Sequence, residues 1–304
     1  MFFNENTEIS IKNISDLIVL DERGIFPREG ETIKDFERRV SAIQCEINVL
    51  DKAISRTGDF LDIGGIKISE DLRIPEDHMQ EASSYVERYA FSITWVPAFY
   101  NSKSLPPLCG GCSMVTCTGL PFFILKAVFK SKKRWLIYDR NELIAHELCH
   151  IARTPIEGKR FEELMAYKIS PSFLRRYLGS CFRSGIESFF LIMPVFLLII
   201  AQILQNTFFP ELKIIYFIVL TVLYPVFLLT RDYADRKTYS MAERNLYSCF
   251  QDKKVNTDAV LFRCTEEEIR YMATLENNGK FLEWVVSKGK TNLRWEIIKA
   301  RFLA

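Results

Sequence analysis

The stretch RNELIAHELCHIARTPIEGKRFEELMAYKI, Arg140–Ile169, decides how this chain is read. It opens as a helix, with Leu143, Ile144, Leu148 and Ile151 recurring at helical spacing on one side. Thr154-Pro155 and Gly158 break that helix, and a second starts near Lys159 and ends before Pro171. Within the first lies His146-Glu147-Leu148-Cys149-His150, of the form H-E-x-x-H. Residues four apart on a helix share a face, so the two imidazoles can share one metal ion. Glu147 sits beside the first of them, where its carboxylate can reach a water held by that ion. Zinc suits two neutral nitrogens and a carboxylate, with a fourth position open to water. It lowers the pKa of that water to about 7, and a nearby carboxylate takes the proton as the water attacks a carbonyl. The chain has only three histidines, and two of them fall at this spacing.

A third ligand is expected from the second helix. His150 lies about one turn before the first helix ends, and Phe161-Glu162-Glu163 occupies the first turn of the second. In an antiparallel helix pair these positions are level. Glu162 and Glu163 point about 100° apart, so one of them binds metal. Periodicity alone leans to Glu162, which flanks the apolar stripe Phe161, Leu164, Met165 and Ile169.

H-E-x-x-H followed by a helical Glu-x-x-small resembles the gluzincin metallopeptidases, thermolysin and the membrane CAAX-type proteases among them. Glu163-Leu164-Met165-Ala166 matches the second pattern. The resemblance covers roughly residues 134–170. It implies a zincin-like catalytic core, Zn2+ as cofactor, His146, His150 and Glu163 as its ligands, and Glu147 as general base. Two features depart from it: Tyr167 stands where such families often place an Asp that orients a ligating histidine, and the gap between the motifs is short. Tyr167 and Arg153 lie near the expected metal and are candidate donors to a developing oxyanion, with plain packing as the simpler role of each.

Outward from this core, two apolar runs dominate. Ile186–Leu204 reads IESFFLIMPVFLLIIAQIL, with Glu187 its only acid, and Ile214–Leu229 reads IIYFIVLTVLYPVFLL without charge. The first approaches the ~20 residues that span a bilayer, and the second lies near the lower limit of ~17. Neither keeps a polar stripe, as a soluble helix does. A two-helix transmembrane hairpin is therefore expected. Lys168, Arg175, Arg176 and Arg183 precede it, Arg231, Arg236 and Lys237 follow it, and the connector QNTFFPELK holds only Lys213. Positive charge prefers the cytoplasmic side, so both termini and the active site are expected there. The basic flank needs no partner beyond lipid headgroups.

Elsewhere, Ile33, Phe36, Val40, Ile43, Ile47, Leu50 and Ile54 mark one stripe of a long helix from about Thr32 to Arg56, with Gly58 as its stop. It is expected as a core or subunit-packing helix. Phe60–Ile74, with Gly64-Gly65, reads as a small hairpin, and residues 78–92 as a helix. Trp95–Tyr100 is extended and leads into the loop NSKSLPPLCGG. Pro121–Phe129 and Arg134–Asp139 read as strands of a hairpin turning at Lys130-Ser131-Lys132-Lys133. Thr265 before Glu266-Glu267-Glu268 is a helix start.

The fold class that follows is α+β and mostly helical. It comprises an N-terminal region (1–94), a zincin-like core with a small sheet (95–185), the hairpin (186–230) and a helical tail (231–304). Hydrophobic residues at 48% permit a sizeable core, and a net charge of +2 gives no reason to expect nucleic acid. The start MFFNENTEIS has no secretory pattern, so the eight cysteines are expected reduced. Cys109-Gly110-Gly111-Cys112, with Cys117, lacks the second pair that a structural zinc site needs. One of its thiolates reaching the zinc, and keeping the enzyme latent, is a lesser expectation.

The function expected is a membrane-anchored zinc metallopeptidase acting on a protein or peptide, a membrane protein's cytoplasmic segment included. Two alternatives remain. One is an inactive membrane interaction protein, since the paired apolar helices resemble the bilobed hairpin of bacterial inclusion-membrane proteins. The other is a zinc hydrolase of non-peptide substrates.

Overall fold

The computed structural model describes residues 10–57, 61–63, 65–106, 109–156, 158–250, 254–275 and 278–303. The expected helix stop at Gly58 and the first glycine of the Gly64-Gly65 turn lie outside them. The chain is mostly helical. Helices α1 (Ile14–Glu22) and α2 (Ile33–Thr57) come first, followed by an antiparallel hairpin of β1 (Leu61–Ile63) and β2 (Ile66–Ile68). The α2 stripe is buried from Phe36 through Ile54, its start against α1 and Ile297 and its remainder, from Ile43, against this hairpin and the central sheet, so its partner is the chain itself. Helix α3 (Glu76–Val86) leads to β3 (Ala98–Tyr100).

The central sheet has three strands in the order β3-β5-β4, with β4 (Gly111–Val115) antiparallel to β5 (Pro121–Leu125) and β3 parallel to it. Pro121–Leu125 is buried along its whole length, so both its edges and both its faces are used. That overturns the expected hairpin across residues 130–133. With β3 and β4 already paired to β5, no edge is left for Arg134–Asp139, and the chain turns through a short 3-10 helix, Ala127–Lys130, with Phe129 buried. Strands β6 (Arg134–Trp135) and β7 (Tyr138–Asp139) pair only with each other. Strand β4 was not expected at all, because the glycines and prolines before it read as loop.

Helix α4 (Arg140–Arg153) starts where β7 ends. The Asp139 carboxylate caps it, accepting from the backbone N–H of Asn141 and Glu142 at 3.0 and 3.3 Å. All of its residues except His150 are buried, so it is a central helix rather than the amphipathic one expected. After the break, α5 (Glu162–Lys168) starts three residues later than the spacing suggested. Gly158 has φ +121°, and a Cβ there would lie 2.9 Å from that of Glu266, so the turn presses against a later helix where only glycine fits.

Helices α6 (Phe173–Leu178), α7 (Gly185–Thr207) and α8 (Ile215–Cys249) follow. Both α7 and α8 are long and apolar enough to cross a membrane, and only 11% of each apolar window is buried. A core helix of a soluble protein would be mostly buried. Helix α8 does not end with its apolar run: it continues through Arg231 as one rod of 35 residues, past the expected boundary at residue 230. Its far half carries Tyr239, Ala242 and Leu246 into the main core. There it meets α9 (Thr257–Phe262) and α10 (Glu266–Thr274), the latter opened by the expected Thr265–Glu268 capping box. Helices α11 (Asn278–Thr291) and α12 (Leu293–Ile298) complete the fold. One hydrophobic cluster runs from Phe26 through α3, the sheet, α4 and α5 to Leu303. The N-terminal region and the tail are therefore packed into the same body as the H-E-x-x-H helix.

Candidate metal centre

Helices α4 and α5 bring His146, His150 and Glu163 together, with one ligand atom from each lying within 4.8 Å of the others. The two Nε2 atoms are 3.1 Å apart, and the Glu163 carboxylate oxygens lie 3.5 Å from His146 Nε2 and 3.4 Å from His150 Nε2. Three lone-pair donors thus point at one volume. Two ligands held at zinc-like distances of about 2.0–2.1 Å on a tetrahedron stand about 3.3–3.4 Å apart, which is the spacing seen here. The residues therefore fit a small divalent cation.

Glu162 lies next to Glu163 but has a different job. Its carboxylate accepts from Arg153 Nε at 2.7 Å and lies 3.5 Å from His150 Nδ1, the ring nitrogen turned away from the cluster. The structure thus separates the two acids that periodicity left open, with Glu163 on the Nε2 side and Glu162 behind His150. Arg153 is buried and also donates to the carbonyls of Phe262 and Cys264. It buttresses Glu162 and does not line the cavity, so the expectation that it donates to an oxyanion is withdrawn.

Glu147 and Tyr167 do face the cavity. Burial first, helped by Glu163, pushes the Glu147 carboxyl up to about 7, against the opposing pull of His150 and hydrogen bonds from the Ser113 hydroxyl and backbone. A carboxyl near neutrality is poised to take and return a proton. His146 is held well below the usual imidazole value by burial and by the charges of His150 and Arg175. Burial also acts to lower His150, but Glu162, Glu163 and Glu147 outweigh it and raise it to about 9. Three carboxylates surrounding one imidazole make a pocket that calls for positive charge. The Tyr167 ring stands 4.5 Å from that of His146, and burial pushes its phenol up, so it remains a donor.

Strand β4 forms the opposite wall. A Cβ on Gly111 would meet Leu125 at 2.5 Å and the Glu147 carboxylate at 3.2 Å, so glycine is what lets this strand lie against the motif. Ser113 and Arg175 are site residues that sequence reasoning passed over. Ser113 belongs to the missed strand, and Arg175 was read only as membrane flank. Its guanidinium lies 3.2 Å from Glu142, over the Tyr138 ring and beside Tyr167. Cys109 and Cys112 line the cavity, but among the described residues neither joins the three-donor group. Burial raises both thiols, Cys112 to about 11. The cavity measures about 870 Å³ and runs from the three donors past Tyr138 and Leu174 to Gly185 and Ser188 at the start of α7. Against known proteins, no family model, no curated protein and no solved structure matches the chain.

Proposed function

We propose that the chain is a zinc-dependent, membrane-anchored metallopeptidase. The observation that carries this reading is the convergence of His146, His150 and Glu163 on one volume, with Glu147 beside it, at the end of a cavity large enough for several residues of peptide. When bound, zinc would acidify water and polarise a carbonyl. Glu147 takes the proton from the attacking water and returns it to the leaving amine, a task suited to a buried carboxyl near neutrality. Glu162, held by Arg153, fixes the ring plane of His150 through its Nδ1 side. Tyr167 donates to the developing oxyanion. Strand β4 has β5 on one side and, among the described residues, no strand on the other, so an extended substrate can pair along it beside Ser113.

Helices α7 and α8 anchor the protein, with the basic residues on both flanks keeping the metal centre on the cytoplasmic face. The resemblance to gluzincins supports peptide as substrate over other acyl compounds. The test is hydrolysis of an unfolded protein such as casein by the full chain in detergent. Turnover is expected to fall by about 10²–10⁴-fold in Glu147→Gln while zinc is retained. Equal turnover in that variant, or none in a zinc-loaded wild type, rejects the peptidase reading; the second result leaves a zinc hydrolase of non-peptide substrates or an inactive anchored scaffold.

A further inference from the structure

Leu136 and Ile137 form the turn between β6 and β7, and they are 66% and 74% exposed. Leu136 has φ +52°, a left-handed conformation that a branched apolar residue adopts only at a cost and that glycine or asparagine fills in ordinary tight turns. The chain thus bears strain to hold two large apolar side chains outward, a combination that points to a surface with a purpose. Beside it, α6 shows Phe173, Leu174, Tyr177 and Leu178, all at least half exposed. Their spacing of one, three and one residues places them on one side of the helix. This apolar side faces out, the reverse of a helix packed on a core. Arg175 ties the two elements together, donating to the Ile137 carbonyl at 3.4 Å and lying over the Tyr138 ring. The turn and the helix therefore make one patch.

Two observations say what covers it. The first is continuity: Ile137, Leu174 and Leu178 line the same cavity as Gly185 and Ser188, the first turn of α7. The second is depth. Arg236 of α8 lies over the Tyr177 ring at 4.9 Å and donates to the carbonyls of Arg176 and Tyr177 at 2.7 and 2.9 Å. Arg236 stands seven residues past Leu229, where the apolar run ends, a rise of about 10–11 Å. Headgroup layers are about 5–8 Å thick on each side of the hydrocarbon. The α6 backbone therefore sits a few ångströms outside that layer, within the reach of Phe, Leu and Tyr side chains. Lys132, Lys133, Arg134 and Arg176 are exposed around the patch, a basic rim complementary to anionic headgroups.

We propose that Leu136, Ile137, Phe173, Leu174, Tyr177 and Leu178 form a membrane-docking surface that seats the mouth of the metal cavity in the headgroup layer of an anionic bilayer. The inference rests on the reading of α7 and α8 as membrane helices and extends it to residues outside them. It implies that substrate reaches the metal centre from the bilayer surface rather than from bulk water.

The test places a photoreactive benzophenone amino acid, one site at a time, at Ile137, Leu174, Phe196 of α7 and Val49 of α2, all exposed positions. The full chain is reconstituted in vesicles of phosphatidylcholine with phosphatidylglycerol, irradiated, and scored for lipid adducts by mass. Adducts at 137 and 174 comparable to those at 196, with none at 49, support the docking surface. Adducts at 196 alone overturn it while leaving the anchor standing. Adducts at 137 and 174 without 196 remove the membrane-spanning reading and, with it, the docking depth proposed here. Adducts at none of the sites, or equally at 49, overturn it.

Discussion

Glu162 and Glu163 are neighbours whose roles were not separable by spacing. Both start a helix, and the apolar stripe beside them favoured Glu162. What decides between them is an arginine on the preceding helix: Arg153, buried and pinned to two backbone carbonyls, takes Glu162 and leaves Glu163 to the imidazoles. No periodicity encodes that pairing. Glu162→Gln is expected to keep the ligand set but weaken zinc binding by about 10–100-fold, measured by competition with a chromophoric chelator. An unchanged affinity would mean that the pair only packs. Arg153→Ala should cost about 1–3 kcal/mol of stability, since it leaves the half-buried Glu162 carboxylate and the carbonyls of Phe262 and Cys264 without their donor, and chemical denaturation reads this directly. The histidines, by contrast, were legible: two at a four-residue spacing on an unbroken helix have little choice but to face the same way.

At the scale of elements, helices were easier to read than strands. The stripe of α2, the caps of α4 and α10 and the two apolar runs are local signals, each written within one continuous stretch of chain. The sheet is not local. Strand β5 pairs with β3 and β4 and excludes the segment that follows it, an outcome set by which strands occupy its two edges in space. Strand β4 was hidden because Gly110 and Gly111 look like loop residues, whereas their missing side chains make room for Leu143, Leu125 and Glu147. Gly111→Ala should therefore cost about 1–3 kcal/mol through overpacking, and lower turnover more than the stability loss alone accounts for. Thermal unfolding and kinetics on the same sample separate the two effects. Asp139→Ala removes the α4 cap and is expected to cost about 1 kcal/mol with zinc binding intact.

At the scale of the molecule, α8 is the link between the apolar hairpin and the metal centre. Just beyond its apolar run, Arg231 holds Glu187 of α7, Asp232 accepts from Ser180, and Asp235 binds Arg160 and Arg183. Arg160 precedes Glu163 by three residues, so the segment carrying the third donor is fastened to the rod that continues from the apolar hairpin. Asp235→Asn is expected to speed hydrogen exchange across residues 160–168 while leaving that of α10 unchanged, since α10 packs on α8 through apolar contacts and Asn245. Uniform exchange in both segments would show that the ion pairs carry no positional role.

The most direct test of the account is the metal content of the full chain, purified in detergent after growth with zinc and measured by atomic emission. Wild type and Glu147→Gln should each hold about one zinc per chain, and His146→Ala and Glu163→Gln should hold nearly none while staying folded by circular dichroism. Zinc absent from the wild type, or retained equally in the folded His146→Ala and Glu163→Gln variants, would contradict it.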